Sequence, residues 1–249
     1  MALLLAGLAA VLVVPRLTAT PTAAVEQDHP GPVLLVPGYG GATGGLEQLA
    51  ARLRAAGRDA AVVPLPGDGT GDLGASADAL ATAVRAALAR TGAASVDVVG
   101  YSAGGVVARL WARDRGAARA RRNVTLGSPH HGTDLAALAG GVLPDECPAG
   151  CQELAPGSAL LQRLNAGDET PSGPTWVSLW TTADRTVQPP DSARLAGALD
   201  IAVQSVCPGS RVSHGRLPTD PLVQRMVLAE LGPGRPVPLG RADCPRLNS

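Results

Sequence analysis

Residues 96–104 read Val-Asp-Val-Val-Gly-Tyr-Ser-Ala-Gly, and this stretch decides the fold. Its apolar start predicts a β-strand, and the residues that follow place Val107, Leu110 and Trp111 on one face of a predicted helix. A serine between a strand end and a helix start lies on a tight, strained turn with its hydroxyl exposed. A chain with 31 Gly can carry G-x-S-x-G by chance, but the flanking strand and helix favour a functional interpretation. We therefore predict that Ser102 is a nucleophile.

A nucleophilic serine needs a base, and the sequence offers four candidates: His29, His130, His131 and His214. The strand–serine–helix arrangement goes with the chain order serine, acid, histidine. His29 precedes the serine and the first predicted strand, which indicates a solvated linker residue. His130 and His131 are better interpreted as a loop pair after a core strand, bonded locally or lining a pocket wall. His214 lies near the end of the chain, after a strand end that bears an acid, and we predict that it is the base.

The acid that orients this base is expected just past the preceding strand. Residues Thr175–Trp180 alternate and are rich in β-formers, which predicts a strand, and Asp184 follows shortly after it. Catalytic groups of open α/β sheets collect at the carboxyl ends of strands, so Asp184 is the predicted acid. The competing acids are Asp191, in a Pro-Pro-Asp turn that resembles a helix cap, and Asp200, inside the next predicted strand.

An oxyanion hole would complete the set. Residues 32–41 read Pro-Val-Leu-Leu-Val-Pro-Gly-Tyr-Gly-Gly, which predicts a strand followed by a glycine-rich turn that exposes backbone N–H groups. One donor is predicted to be the N–H of Ala103, and the other the N–H of Tyr39 or Gly40. The alternative for residues 37–41 is a simple strand-to-helix turn.

With these parts in place, the chain resembles the α/β-hydrolase superfamily and, within it, the small secreted bacterial class 2 lipases and esterases, which act on triacylglycerols and related esters. The resemblance runs from about residue 32 to residue 231 and rests on the motifs at 36–41, 100–105 and 125–133. It implies carboxylic ester hydrolysis without a metal or an organic cofactor. Many relatives have His-Gly where this chain has Pro37-Gly38, and this difference leaves the choice between Tyr39 and Gly40 open.

Apolar periodicity predicts an α/β fold with alternating strands and helices, in which a central, mostly parallel sheet of about six strands has helices on both faces. The predicted strands are Val33–Val36, Ala60–Pro64, Val96–Val99, Arg122–Leu126, Thr175–Trp180 and Leu199–Val206. The predicted helices are Gly45–Ala56, Ser76–Arg90, Ala103–Asp114 and Asp220–Leu231. We expect a hydrolase domain over residues 25–231 and a Pro- and Gly-rich tail over residues 232–249.

Residues 127–174 are predicted to be an insertion that forms a wall or cap over the acyl pocket. Leu135, Leu138 and Val142 have helical spacing and would form an apolar face, although Gly140-Gly141 argues against a long helix. The alternative is an ordinary core helix. We expect little lid motion, because the apolar patch is short and a bridge between Cys147 and Cys151 would stiffen it.

The four cysteines are Cys147, Cys151, Cys207 and Cys244. An even count in an exported chain predicts two disulfides, with three alternative pairings. Pairing Cys147 with Cys151 would close a small loop, and pairing Cys207 with Cys244 would pin the tail beside the His214 loop. The cysteines do not indicate zinc, because C-x-x-C is absent and no histidine accompanies the pairs. No metal site is predicted, since the oxygen-rich loop 67–72 lacks the bidentate glutamate of a calcium loop.

Export is the expectation from the N-terminus. Residues 2–14 are apolar but too short to span a membrane, and Thr22-Ala23-Ala24 offers a cleavage site that would make Val25 the first mature residue. A basic region before the apolar run is missing, so an uncleaved segment, residues 1–24, could instead hold a secreted protein at the membrane. The formal net charge is zero and no basic block occurs, which gives nucleic-acid binding no support. We expect a monomer whose partners are its ester substrate and, transiently, a lipid interface.

The resulting hypotheses differ in class. The first is a serine hydrolase of lipid or short-chain acyl esters that works through an acyl-enzyme. The second is an acyltransferase or thioesterase that uses the same acyl-enzyme. The third is a catalytically inactive cell-surface binding module on this fold, which the intact serine, acid and histidine order argues against.

Overall fold

The computed structural model describes residues 24–142 and 147–248. The predicted targeting segment, except Ala24, lies outside this range. Six parallel strands form one sheet in the order β2-β1-β3-β4-β5-β6. The strands are β1 (Val33–Val36), β2 (Ala60–Val62), β3 (Val96–Tyr101), β4 (Ala120–Leu126), β5 (Thr175–Trp180) and β6 (Leu199–Ala202). This is the predicted α/β architecture.

Nine helices accompany the sheet within the described residues. They are α1 (Gly44–Ala55), α2 (Leu73–Thr91), α3 (Ala103–Trp111), α4 (Asp134–Val142), α5 (Ala149–Glu153), α6 (Ala159–Asn165), α7 (Val203–Val206), α8 (Pro221–Glu230) and α9 (Cys244–Asn248). One turn of π-helix, Ala112–Gly116, follows α3, and short 3₁₀ turns occupy Pro190–Ala193, His214–Arg216 and Arg241–Asp243. In the described ranges, no helix has both the length and the apolar character needed to cross a membrane.

Helices cover both faces of the sheet, which explains why β1 is a continuous apolar run. All four residues of β1 are buried. One core layer joins the sheet to α1 and α8, and a second joins it to α2 and α3. A parallel sheet needs this double cover because its strands have no face that can be left to water.

Apart from shifts of a few residues at the ends of strands and helices, three predictions differ from the structure. The predicted strand Leu199–Val206 is wrong in its second half, because α7 begins at Val203. Val203 and Val206 are both buried three residues apart, a spacing that suits a helix. The tail is not merely irregular, since α9 lies within it and Leu247 is buried in the core. Helix α4 continues through Gly140-Gly141, which were expected to interrupt it.

Because all six strands are parallel, their carboxyl ends meet at one edge of the sheet, here called the carboxyl edge. The opposite edge, the amino edge, holds a buried charged cluster. The Asp97 carboxylate accepts hydrogen bonds from Arg121 Nε at 2.8 Å and from Arg121 and Arg58 terminal nitrogens at 2.6 Å each. Arg122 and Glu230 are buried beside this group. The carboxyl edge holds the candidate site.

Candidate active site

Ser102 forms the sharp turn between β3 and α3. Its φ is 53° and its ψ is −126°, and it is the only residue other than glycine with positive φ in the described ranges. Its N–H donates to the Leu126 carbonyl at 2.9 Å, which fixes the turn against β4. A Cβ at Gly100 would lie 2.5 Å from the Gly104 carbonyl oxygen, and one at Gly104 would lie 2.2 Å from the Val36 carbonyl oxygen. The two glycines are therefore required by close backbone contact, and the strained serine turn has the predicted geometry.

The structure brings Ser102, His214 and Asp184 together in one hydrogen-bonded chain. The Nε2 atom of His214 lies 3.1 Å from Ser102 Oγ, and its Nδ1 atom lies 2.7 Å from Asp184 Oδ2. The other carboxylate oxygen of Asp184 accepts the N–H groups of Thr186 and Val187 at 2.8 and 2.9 Å. This carboxylate is therefore fixed as an acceptor, so Nδ1 of His214 donates to it and Nε2 is left to accept the serine proton.

Tyr101, the residue before the serine, supports the histidine. Its ring lies against the His214 ring with centroids 5.2 Å apart, and its hydroxyl donates to the His214 carbonyl at 3.4 Å. Burial, with a smaller effect from the Asp184 charge, raises the pKa of Tyr101 to about 12. Tyr101 thus stays a neutral donor at physiological pH. The sequence pattern treats this position as variable and gave no signal for the contact.

A second set of contacts that the sequence did not predict joins the loops that carry the acid and the base. The Thr181 hydroxyl donates to the Val212 carbonyl at 2.7 Å. The Gln204 side chain accepts the Thr182 N–H at 3.0 Å and donates to Thr181 Oγ1 at 2.9 Å and to the Ser210 carbonyl at 3.3 Å. Gln204 therefore bonds to both loops. It lies 20 residues from Asp184 and 10 from His214, so only the folded structure shows this link.

The candidate oxyanion donors are Ala103, which directly follows Ser102, and Tyr39 or Gly40 in the turn after β1. Ala103 is the first residue of α3, so its N–H has no carbonyl one turn earlier to bind. The Gly40 N–H donates to the Gly69 carbonyl at 3.2 Å, which occupies that donor. No backbone acceptor within the described residues engages the Tyr39 N–H. Of the two alternatives, the structure thus favours Tyr39.

An apolar pocket of about 310 Å³ opens at Ser102. It is lined by side chains from the turn after β1, from the 127–174 segment and from the loop after β5. These are Tyr39, Pro129, Thr133, Leu135, Ala136, Ala139, Cys151, Leu154, Thr186 and Val187. Residues of the 127–174 segment therefore line part of this pocket. Leu138 was expected on this wall, but it is 63% exposed and lines no part of the pocket. The inward face of α4 instead presents the small Ala136 and Ala139.

The other sequence candidates lie apart from Ser102. His29 is exposed and contacts Glu26. His130 is buried with Nε2 3.1 Å from Thr125 Oγ1, and burial holds its pKa well below the usual value, so it stays neutral. His131 contacts Glu169 at 2.9 Å.

Neither alternative acid orients His214. Asp191 lies in the Pro190–Ala193 turn, and the Asp200 carboxylate accepts the Leu195 N–H. Within residues 24–142 and 147–248, no cluster of three or more His, Cys, Asp or Glu side chains could hold a metal ion.

Both disulfides are present, joining Cys147 to Cys151 and Cys207 to Cys244. The first bridge is part of the pocket, because Cys151 lines it. The second joins the end of α7, close in sequence to the His214 loop, to the start of α9. The tail is therefore covalently tied to the carboxyl edge.

Comparisons with known proteins agree with this architecture. The family model for the alpha/beta hydrolase fold matches residues 31–146. Lipase B of Aspergillus fumigatus superposes with a TM-score of 0.71 at 21% identity, over 86% of this chain and 59% of that protein. A Bacillus licheniformis lipase in its mature form gives 0.59 at 20% identity, over 74% and 89%.

A Pseudomonas putida N-formylmaleamic acid deformylase gives a TM-score of 0.54 at 17% identity, over 81% of this chain and 92% of that one. A comparison with curated protein sequences finds no match. At these identities the likeness concerns the fold, and this chain spans about three-fifths of the fungal lipase. The strand order, the serine turn and these matches together establish that the chain has the α/β-hydrolase fold.

Proposed function

We propose that this protein is a serine carboxylic-ester hydrolase of the lipase or esterase type, in which Ser102, His214 and Asp184 act as a catalytic triad. The observation that carries the proposal is the unbroken hydrogen-bonded chain from Asp184 through His214 to a strained serine that opens into an apolar pocket. A nucleophile bonded to a base that a buried carboxylate orients is the arrangement that activates a serine.

The geometry supports the following steps. Ser102 Oγ attacks the acyl carbonyl carbon while its proton passes to His214 Nε2, and the Asp184 carboxylate stabilises the imidazolium that forms. The N–H groups of Ala103 and Tyr39 would donate hydrogen bonds to the carbonyl oxygen and so stabilise the negative charge that develops on it. His214 then gives the proton to the leaving alcohol oxygen as the carbon–oxygen bond breaks. A water molecule, deprotonated by His214, attacks the acyl-enzyme, and the acid is released as the bond between the acyl carbon and Ser102 Oγ breaks and Oγ takes the proton from His214.

The apolar pocket supports an acyl chain as the bound part of the substrate. Its volume of about 310 Å³ lies near the lower end of the range for ligand pockets, about 300–1,000 Å³. Such a pocket suits short acyl groups better than a long chain held over its whole length. Tyr39 is 41% and Leu135 55% exposed beside this pocket, which supports transient contact with a lipid surface as part of the proposal. Two disulfides support an exported protein.

Active-site labelling separates an enzyme from an inactive binding module. A fluorophosphonate should label the wild-type protein and fail to label Ser102→Ala. Hydrolysis of a p-nitrophenyl ester series and of emulsified triglyceride then tests the ester class. Competition by an added alcohol or thiol acceptor would reveal acyl transfer. A folded wild-type protein that neither reacts with the probe nor cleaves any ester would refute the proposal.

Pocket size can be tested on α4. Ala139→Trp should fill the pocket and shift the preference in the ester series towards shorter acyl groups. Ala137→Trp is the matched control, because Ala137 is exposed on the same helix and does not line the pocket. The wall is expected to be fixed, so rates should show no abrupt rise where an ester passes its solubility limit.

A further inference from the structure

A second cleft of about 630 Å³, more polar than the pocket at Ser102, opens beside His214. The loops after β5 and β6 form it, and its lining includes Thr182, Gln204 and Ser213 as well as His214 itself. Ser102 lines the apolar pocket, His214 lines this cleft, and Thr186 lines both. Ser102 and His214 therefore each line a different cavity, and the cavity beside His214 is the more polar of the two. We call the second one the histidine cleft.

The histidine cleft carries positive charge without nearby negative charge. Arg185 and Arg211 line it and are exposed, and within the described residues neither guanidinium has an ion-pair or hydrogen-bond partner. No aspartate or glutamate lines the cleft. The nearest acid in sequence, Asp184, is buried with its oxygens engaged by His214 and by two backbone N–H groups. An anion entering the cleft would thus meet two free cations.

The two arginines of the histidine cleft have backbone positions that are fixed relative to Asp184 and His214. Arg185 directly follows Asp184, and Arg211 lies three residues before His214. The Thr181 and Gln204 contacts described above join the backbones of these two loops. Both arginines are therefore anchored on the segments that place the acid and the base, so their main chains are fixed relative to the reacting atoms.

The direction of proton transfer assigns each cavity a part of the substrate. His214 can protonate the leaving oxygen only if that oxygen lies within hydrogen-bond reach of Nε2, so the alcohol part of the ester lies on the His214 side of Ser102. The acyl part then occupies the apolar pocket. Two guanidinium groups suit a phosphate, whose oxygens accept several charge-assisted hydrogen bonds.

We propose that the alcohol part of the preferred substrate carries a phosphate that Arg185 and Arg211 bind, so that the protein cleaves acyl esters of phosphorylated alcohols. This inference rests on the proposed ester hydrolysis. Ser102 Oγ bonds to the acyl carbon, the ester carbon–oxygen bond breaks, and the alcohol oxygen takes its proton from His214. The phosphate leaves unchanged on the alcohol, and water releases the acid.

The test compares 1-butyrylglycerol with 1-butyrylglycerol 3-phosphate, which share the scissile bond and differ only in the phosphate. Wild type should favour the phosphorylated ester in kcat/KM by about tenfold or more. Arg185→Gln and Arg211→Gln should each lower this ratio by about three- to tenfold, and the double variant should bring it near one. Arg119→Gln is the matched control, since Arg119 is exposed directly before β4 at the amino edge.

The outcomes separate the two proposals. The phosphate site would be overturned if the enzyme hydrolyses p-nitrophenyl butyrate but its kcat/KM ratio for the two butyrylglycerols is near one. The same holds if the arginine substitutions leave that ratio unchanged. Either result would leave the proposed ester hydrolase standing. No hydrolysis of any ester would overturn the proposed function itself. Thermal melting of each variant shows whether a lost ratio reflects unfolding. Raising NaCl from about 0.05 to 0.5 M should also shrink the wild-type ratio, because exposed charges are screened.

Discussion

The carboxyl and amino edges of the sheet both bury charged groups, yet they differ in what those groups can do. At the carboxyl edge, Asp184 holds a histidine whose other nitrogen reaches Ser102 Oγ, and the chain ends at an open pocket. At the amino edge, Asp97 is held by Arg121 and Arg58. Arginine stays protonated in water, so it cannot serve as a base. Buried charge thus indicates catalysis only where a titratable group meets a nucleophile and a cavity.

The amino edge instead fastens the segment before β1 to the segment that follows α8. Arg121 donates to the carbonyls of Gln27 and Gly232 at 2.9 Å each and to that of Leu231 at 2.9 Å. Arg122 donates to Gln27 Oε1 at 3.0 Å and to the carbonyl of Gly232 at 3.2 Å. The segment before β1 and the segment after α8 are therefore bound to the same two side chains. We assign this cluster to stability.

The largest expected effect comes from substitutions that remove the hydrogen-bonded groups at the carboxyl edge and leave the amino edge intact. Asp184→Asn should lower kcat for p-nitrophenyl butyrate by about ten-thousandfold, because the amide favours the wrong tautomer of His214. Ser102→Ala and His214→Ala should be comparably inactive, with double variants hardly worse, since the three residues act as a unit. The folded state should persist in circular dichroism.

Matched controls exist for each partner. Asp191→Asn and Asp200→Asn remove the competing acids and should keep most activity. His131→Ala should do the same, because His131 contacts Glu169 rather than Ser102. An active His214→Ala beside an inactive His131→Ala would show that the base has been misassigned.

The converse substitution removes the carboxylate of the charged cluster at the amino edge and leaves the carboxyl edge intact. Asp97→Asn leaves buried guanidinium charge without its carboxylate and should lower the free energy of unfolding by about 3–5 kcal/mol. The kcat of the folded protein should stay within about twofold of wild type, since the cluster does not touch the reacting atoms. Urea unfolding and initial rates measure the two effects separately. Asp59→Asn is the control: it removes an exposed ion pair with Arg90 and should cost less than about 1 kcal/mol. A large loss of kcat in folded Asp97→Asn would show that the amino edge contributes to catalysis as well as to stability.

The two disulfides offer a comparison within the carboxyl edge. The bridge between Cys207 and Cys244 closes a separation of 37 residues, and the bridge between Cys147 and Cys151 closes one of only 4. Chain entropy predicts losses of about 4 and about 2 kcal/mol when each pair is replaced by serine. Denaturant unfolding of the two double variants checks this order. Equal losses would mean that native-state contacts, and not chain entropy, set the contribution of each bridge.

Local pattern predicted most of the fold and the three aligned residues of the carboxyl edge. Strand β5 has the predicted bounds, and Ser102, Asp184 and His214 could be chosen from chain order because each follows or precedes a recognisable element. The pocket wall was misjudged at Leu138. The residues of α4 that line the pocket are Leu135, Ala136 and Ala139, so the face of this helix that contains its alanines was the better signal.

The polar contacts between separate strands and loops could not be predicted from local sequence patterns. Asp97 lies inside an apolar run and pairs with Arg121, which is 24 residues away, and nothing in either segment specifies the register that joins them. Gln204 lies in a stretch that was interpreted as strand, although Val203 and Val206 have helical spacing. Such polar contacts follow from topology and cannot be read from a single segment.

The smallest expected effect tests whether the amino edge also contains a titratable group. Glu230 is buried at the end of α8. Burial raises its pKa from an ordinary 4.5 to about 7, against the opposing influence of the Arg122 charge and of a hydrogen bond from the Val237 backbone. Between these values the folded chain holds a proton that the unfolded chain has lost, so stability falls as the pH rises.

Glu230→Gln cannot ionise and should lack this slope. Its free energy of unfolding relative to wild type should therefore increase by about 1–3 kcal/mol between pH 4.5 and pH 8, and stay constant above that range once Glu230 is ionised in both states. Urea unfolding at several pH values measures the difference. Glu47→Gln, on the exposed side of α1, should give a flat difference over the same range. A flat difference for Glu230→Gln as well would mean that the carboxylate is solvated in the folded protein, and the amino edge would then contain fixed charges only.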